Sequence, residues 1–266
     1  MSNKPIIARV LVRLLLVAVL AAVVPTCISA QNDSRLFAYS TLDALLAGVY
    51  DGDLTVTELR RKGDFGIGTF NHLDGEMIML DGVCYHAKSD GSVQIAGPQD
   101  KTPLAYVTRF HRGKEFRSER ASSLAELEAW LDRFVPNKNL FYAIRIEGQY
   151  QLMSVRAIPP QSKPYRPLVE VSASQVVHDY RDISGVLIGI RSPAFSRGVS
   201  VPGYHWHFIT ADRKHGGHVV KLQAADVAAQ VNEIAGFELQ LPRDEAFAAA
   251  DQTKDRAIEV KTVEGK

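Results

Sequence analysis

Gly203-Tyr204-His205-Trp206-His207-Phe208-Ile209-Thr210, continued by Ala211-Asp212-Arg213-Lys214-His215-Gly216-Gly217-His218, holds four of the chain's eight histidines. Its first half is aromatic and β-branched, the composition of a strand. Side chains two apart on a strand share a face, with Cα atoms roughly 7 Å apart, so His205 and His207 can converge on one ion. Residues 212–217 read as a turn in which Gly216 and Gly217 are free to take positive φ. His218 then opens a second strand, His218-Val219-Val220-Lys221-Leu222. In a hairpin His218 would sit beside the first pair, and three neutral imidazoles with open positions suit a catalytic divalent-metal site. His-x-His on a strand also occurs as two hydrogen-bonded core residues, so spacing alone leaves both readings open. His215 belongs to the turn and reads as a solvated loop residue.

Upstream of this stretch, strand patterns dominate. Phe65-Gly66-Ile67-Gly68-Thr69-Phe70, Glu76-Met77-Ile78-Met79-Leu80, Val83-Cys84-Tyr85-His86-Ala87 and Val93-Gln94-Ile95 are separated by Asp74-Gly75, Asp81-Gly82 and Asp90-Gly91. Asp-Gly between apolar runs marks hairpins, and three in succession predict an antiparallel meander. Residues 104–110 read as a further strand. Residues 141–146 and 150–156 read as a hairpin about Glu147-Gly148-Gln149.

Helices are fewer. Leu42, Leu45, Leu46 and Val49 share one helical face behind Ser40 or Thr41 as cap. Thr55-x-x-Glu58 and Ser123-x-x-Glu126 open two more as capping boxes. Residues 224–231 are expected to be helical, residues 185–190 and 237–241 to be strands, and Asp244 to cap a helix through Ala250. The class is mixed α/β (α+β) with strands in the majority. Pro159-Pro160-Gln161-Ser162-Lys163-Pro164-Tyr165-Arg166-Pro167 reads as a linker, dividing a β-rich subdomain over 31–160 from a second over 168–266, with a long surface loop in a single domain as the alternative.

The first thirty residues differ from the rest. Lys4, Arg9 and Arg13 precede the apolar run 14–24, Pro25 breaks it, and Ile28-Ser29-Ala30 offers a small residue for cleavage. This is the pattern of a secretory signal peptide, and the run is short for a membrane span. Cys27 raises lipid attachment as an alternative, for which Pro25-Thr26 is a poor preceding pair. The expectation is export after cleavage near Ala30, with no membrane attachment afterwards. Removing these three cations from 31 Lys+Arg leaves 28 against 30 Asp+Glu, a formal charge of −2. A near-neutral chain with no basic run has no electrostatic case for nucleic acid. Cys84 would be left as the one cysteine, so the fold stands on its core rather than on a disulfide.

Three pieces together resemble the α-acetolactate decarboxylase family. They are residues 203–209 with Gly216-Gly217-His218-Val219; residues 37–41 with Leu45-Leu46-Ala47-Gly48-Val49-Tyr50-Asp51-Gly52; and residues 63–77, Gly63-Asp64-Phe65 through Asp74-Gly75-Glu76-Met77. The match runs in order from about residue 36 to 264. The resemblance implies a homodimeric zinc enzyme with two β-sheet subdomains and the metal between them. It implies conversion of (S)-2-acetolactate to (R)-acetoin and CO₂. By position it implies His205, His207 and His218 as Zn²⁺ ligands, Arg156, Glu76 and Glu264 as catalytic residues, and Thr69 with Arg156 as substrate-binding. The tail match is short, and Glu259 lies close to Glu264.

These residue types suit that chemistry. A divalent cation acts as a Lewis acid on a chelating hydroxyketone. An arginine fork holds a carboxylate, and a buried glutamate with a raised pKa can deliver a proton. Two other classes are open. A cupin-like or carbonic-anhydrase-like His₃ enzyme would place its third histidine farther along. An exported zinc-binding module would give Arg156 and the glutamates no role. His72, His86, His111 and His178 read as structural or exposed, and Cys84 as a small apolar filler.

Overall fold

The structure is a computed structural model that describes residues 34–118 and 120–264. The expected signal segment over residues 1–30 lies outside the described residues. Among the described residues no helix is long and apolar enough to cross a membrane.

In chain order, strand β1 (Arg35–Tyr39) leads to helix α1 (Leu42–Leu46), then β2 (Leu54–Thr55) and α2 (Val56–Lys62). Thr41 caps α1 by accepting from the Ala44 amide, and the Thr55–Glu58 capping box forms at α2 as its spacing predicts. The meander follows as β3 (Phe65–Thr69), β4 (Glu76–Leu80), β5 (Val83–Ala87) and β6 (Val93–Ile95), then β7 (Lys101–Thr102), β8 (Leu104–Thr108) and β9 (Glu115–Ser118). Asp81 and Gly82 both take positive φ, 52° and 76°, as a two-residue hairpin turn that follows the strand twist requires. Helix α3 (Leu124–Leu131) is capped by Ser123. The remaining elements are β10 (Phe141–Ala157), α4 (Leu168–Val171), β11 (Val176–Ser192), β12 (Gly203–Thr210), β13 (Gly216–Ile234), β14 (Gly236–Gln240), α5 (Glu245–Ala249) and α6 (Ala257–Glu264). Asp244 caps α5 as expected.

Two sheets carry the architecture. The first has the order β14-β1-β8-β3-β4-β5-β6, with β1 and β14 parallel and the meander antiparallel. The second runs β10-β11-β12-β13-β9, and β10 also pairs with β13, so four strands close on themselves. Closure removes free edges from these long strands.

Alternation along the strands sorts the core into layers. On β4, Ile78 and Leu80 join the cluster that also takes Ile188, Ile190 and Ile209 of the second sheet, so this cluster fills the space between the sheets. Met77 and Met79 point the other way, onto Leu59 of α2. Trp206 and Phe208 on β12 face a third cluster with Tyr150, Val155 and Leu222, closed over by Leu127 and Leu131 of α3. Fully burying one such aromatic contributes on the order of 2–3 kcal/mol.

Four expectations are corrected. The hairpin over residues 141–156 is instead one 17-residue strand. Gly148 is not at a turn but where a Cβ would meet the Asp226 carbonyl oxygen at 2.2 Å, so the glycine serves close strand approach. The helix over residues 224–231 is part of the 19-residue β13. Ala224, Val227 and Ala229 are buried against β10 and Ala225 is the extra residue at a register shift, so pairing on both sides outweighs alanine's helix propensity. The turn after β12 ends before Gly216, because the Thr210 amide bonds the His215 carbonyl. Gly216 and Gly217 are strand residues whose lack of Cβ admits the Phe208 and Arg156 carbonyls. The sheets also do not divide at the proline-rich stretch over residues 159–167. β10, before it, pairs with β11 and β13 after it, while β14 returns to β1, and the described residues pack as one compact unit.

Candidate active site

His205 and His207 fall on the face of β12 opposite to Trp206 and Phe208, the alternation their spacing predicts. That face is fixed from behind by α3. Trp206 Nε1 donates to Glu128 Oε1 (3.0 Å) and the Tyr204 hydroxyl to Asp132 Oδ1 (2.8 Å). His218 on β13 pairs in register with His207, and on its other side with Arg156 of β10. Directly opposed residues in antiparallel strands present their side chains on one face. Three strands therefore bring His205, His207, His218 and Arg156 together.

The three imidazoles each offer a nitrogen within 4.8 Å of the others, and His205 Nε2 lies 3.2 Å from His218 Nδ1. Tetrahedral zinc with Zn–N bonds of about 2.05 Å needs nitrogens roughly 3.3 Å apart. His207 donates from Nδ1 to the Met77 carbonyl (2.9 Å), which leaves the lone pair on Nε2. That Nε2 is buried without a hydrogen-bond partner. Burial, with His205 and Arg156 adding to it, holds the His207 pKa well below the ordinary range and outweighs the Met77 carbonyl. A neutral imidazole with an inward, unsatisfied nitrogen is the state a metal ligand needs. The donor set fits zinc and fits other divalent first-row metals as well.

The first sheet supplies the opposing wall. Thr69 and Glu76 are register partners across the β3–β4 hairpin. The Thr69 hydroxyl donates to the Gly75 carbonyl (2.6 Å), which fixes the turn and leaves its oxygen as an acceptor. Glu76 Oε2 lies 3.4 Å from His207 Nε2. Burial lifts the Glu76 pKa to about 7, against the pull of Arg156 and with a further push from Glu264. Helix α6 brings Glu264 to the same place, its Oε2 3.9 Å from His218 Nε2. Val263, just before it, is buried. The end of α6 thus packs over the site, and Glu259 instead pairs with Arg256 (2.7 Å).

All seven residues singled out in the sequence line one cleft between the two sheets: Thr69, Glu76, Arg156, His205, His207, His218 and Glu264. The rest of the lining is mostly apolar: Leu42 and Leu45 of α1, Leu73, Leu104, Ile158 and Leu168, with Tyr106 among them. Sequence reading did not place these in a site, because an apolar residue on a strand or helix carries the same pattern whether it lines a cleft or fills a core. It also missed Gln175, whose Oε1 accepts from Arg156 at 2.9 Å.

The other histidines are structural or exposed, His72 and His111 being the exposed ones. His86 is buried and its Nε2 contacts the Asp74 carbonyl (2.5 Å), while His178 meets the Ser89 carbonyl (3.0 Å). His215, expected to be solvated, is half-buried with its Nδ1 on the Gly91 carbonyl (2.9 Å). Burial pushes the Cys84 thiol up to about 12, so it is inert packing.

Comparison with known proteins finds relatives over most of the chain. Residues 36–254 match the model of the family described as alpha-acetolactate decarboxylase; Glu264 lies beyond that span. The chain is 42% identical over 237 residues to the alpha-acetolactate decarboxylase of Methanosarcina mazei, covering 89% of this chain and 82% of that one. It is 42% identical over 230 residues to that of Methylococcus capsulatus, covering 86% and 88%. The crystal structure of alpha-acetolactate decarboxylase from Bacillus subtilis strain 168 superposes with a TM-score of 0.85 at 35% identity, over 87% of this chain and all of that one.

Proposed function

The chain belongs to the alpha-acetolactate decarboxylase family, and from that premise we infer that it converts (S)-2-acetolactate to (R)-acetoin and CO₂ at the cleft between its sheets. Membership makes it an enzyme rather than a metal-scavenging module. The observation that carries the finer reading is the convergence of three histidines, one arginine and two glutamates on a single cleft.

The residues divide the work as follows. His205, His207 and His218 hold a divalent cation, zinc by our reading. That cation supplies Lewis acidity toward the substrate's adjacent ketone and hydroxyl oxygens. Arg156 binds the substrate carboxylate through its guanidinium fork. Thr69 offers its hydroxyl oxygen as an acceptor on the opposite wall. The apolar side chains take the two methyl groups and exclude water, which strengthens each charge–charge interaction inside.

When the carboxylate carbon departs as CO₂, the electrons of the broken C–C bond flow toward the ketone oxygen and leave an enediolate. Glu264 then gives its proton to the carbon that lost CO₂, forming the C–H bond of acetoin, and is reprotonated from water. Glu76, opposite on β4, orients the hydroxyl. Proton delivery from one side only produces one enantiomer.

We also infer that the enzyme is exported after cleavage near Ala30, acts on acetolactate that has left the cytoplasm, and works as a homodimer. The signal pattern of residues 1–30 supports export. Fractionation that finds the uncleaved chain in the cytoplasm would contradict it, and light scattering of the mature protein tests the dimer.

The deciding experiment is acetoin formation from racemic acetolactate by residues 31–266. Mainly (R)-acetoin, lost on chelation and restored by zinc, supports the reading. Turnover that survives complete chelation overturns the metal assignment, and racemic product overturns directed protonation.

A further inference from the structure

Among the described residues, the hydrogen bonds of the Arg156 guanidinium run to two uncharged acceptors. Nη1 donates to Gln175 Oε1 at 2.9 Å and Nη2 to the Val263 carbonyl at 2.5 Å. Buried arginines are ordinarily matched with carboxylates, because a charge away from water is costly without a partner. Arg145, on the same strand and equally buried, follows that rule. Its Nε donates to Glu147 (2.6 Å) and its Nη1 to Asp81 (3.0 Å). At Arg156 the nearby carboxylates Glu76 and Glu264 lie against imidazoles, 3.4 Å from His207 and 3.9 Å from His218.

Gln175 is placed for this contact by the fold. It follows the short 3₁₀ turn Ser172–Ser174, and its own amide donates to the Ser172 carbonyl (3.1 Å). Two residues later Val177 pairs with Arg156 across the β10–β11 ladder. Gln175 therefore reaches Arg156 diagonally, a distance within range of a long side chain. Its amide oxygen accepts one N–H of the fork and fixes the guanidinium plane. Unlike a carboxylate, it does so without offsetting the positive charge.

We propose that Gln175 is a positioning residue for the decarboxylation: with the Val263 carbonyl it aims Arg156 into the cleft while keeping its charge available for the substrate carboxylate. This rests on the assignment of Arg156 as the carboxylate anchor. It predicts that an acidic residue at 175 is worse than glutamine there, although it would form the stronger bond to arginine.

The test uses metal-loaded enzyme and the variants Q175E, Q175L and R156Q. The readouts are kcat, KM for acetolactate, and inhibition by two small molecules. One is 2-hydroxy-2-methylbutanoate, which keeps the hydroxyl and carboxylate; the other is acetoin, which has no carboxylate. Q175E is expected to raise KM and the inhibition constant of the acid about 5- to 10-fold, with acetoin inhibition unchanged within twofold, since an ionised neighbour competes for the fork. Q175L is expected to lower kcat/KM about 10-fold through a loosened guanidinium.

Q175E that equals or exceeds wild type in acid binding overturns the proposal, because glutamine would then be a replaceable strut. Equal weakening of acid and acetoin also overturns it, as that marks general damage to the cleft. If R156Q weakens the acid and the Gln175 variants do not, Gln175 alone is dismissed and the anchor stands. If R156Q leaves acid binding intact, the anchor assignment fails and the role of Gln175 with it.

Discussion

Arg156 and His218 stand opposite one another across the β10–β13 ladder, and His218 faces His207 on its other side. One antiparallel register thereby sets the separation between the anchor proposed for the substrate carboxylate and the histidines proposed to hold the cation. Shifting β13 by one residue would turn His218 to the opposite face. The activity therefore depends on the pairing of the closed sheet as a whole.

Replacing Arg156 with alanine should lower kcat/KM by roughly 10²- to 10³-fold, the loss of a charge-assisted, desolvated pair. R156K keeps the charge but not the fork and should recover only part of that loss. Steady-state kinetics with metal content measured on the same samples checks this. Unchanged kcat/KM in R156A would refute the anchor.

Metal removal should abolish turnover and lower the melting temperature. A ligand bound to the native state at a hundred times its Kd adds about 2.7 kcal/mol of stability. His207→Ala should reduce bound zinc below one per chain and remove the zinc-dependent rise in Tm. Elemental analysis and thermal scans with and without zinc report both. A variant that retains full zinc and activity would remove His207 from the ligand set.

E264Q and E76Q should separate proton delivery from orientation. Loss of the proton donor is worth about 10²- to 10⁴-fold in rate, so E264Q should show the larger fall in kcat. It should also erode the excess of (R)-acetoin, because solvent protonates from either side. Chiral chromatography of the product decides the matter. Full stereoselectivity in E264Q with erosion in E76Q would reverse the two roles.

Gly189→Ala should destabilise the fold without touching the cleft lining. A Cβ there would sit 2.1 Å from the Trp206 ring, and forcing the indole aside costs about 1–3 kcal/mol. At about 2–4 °C per kcal/mol for a chain of this size, a Tm drop of several degrees is expected. An unchanged Tm would show that the indole shifts freely over β11.

Local signals account for much of what the chain does. The His-x-His strand, the Asp-Gly meander and the caps at Thr55, Ser123 and Asp244 all depend on residues within a few positions of each other. For that reason they are legible without a structure. The site residues themselves were reached through family motifs. Spacing alone leaves His205, His207 and His218 open between a metal site and a core.

Tertiary pairing decided the rest. Gly148 looks like a turn and is a strand residue because a carbonyl of β13 needs the room. Residues 224–231 look like a helix and are a strand because β10 and β9 pair with them. Gln175 carries no local signal, and it matters only because the β10–β11 register brings it to Arg156. Nor could the burial that raises the Glu76 pKa and keeps His207 neutral be read from the chain. Turn and cap chemistry is local in sequence, whereas strand register, desolvation and the meeting of Glu76 with Glu264 are sums over distant segments. Local patterns specify the strand-rich class and the chemical types available, and the packing of the sheets selects which of them meet.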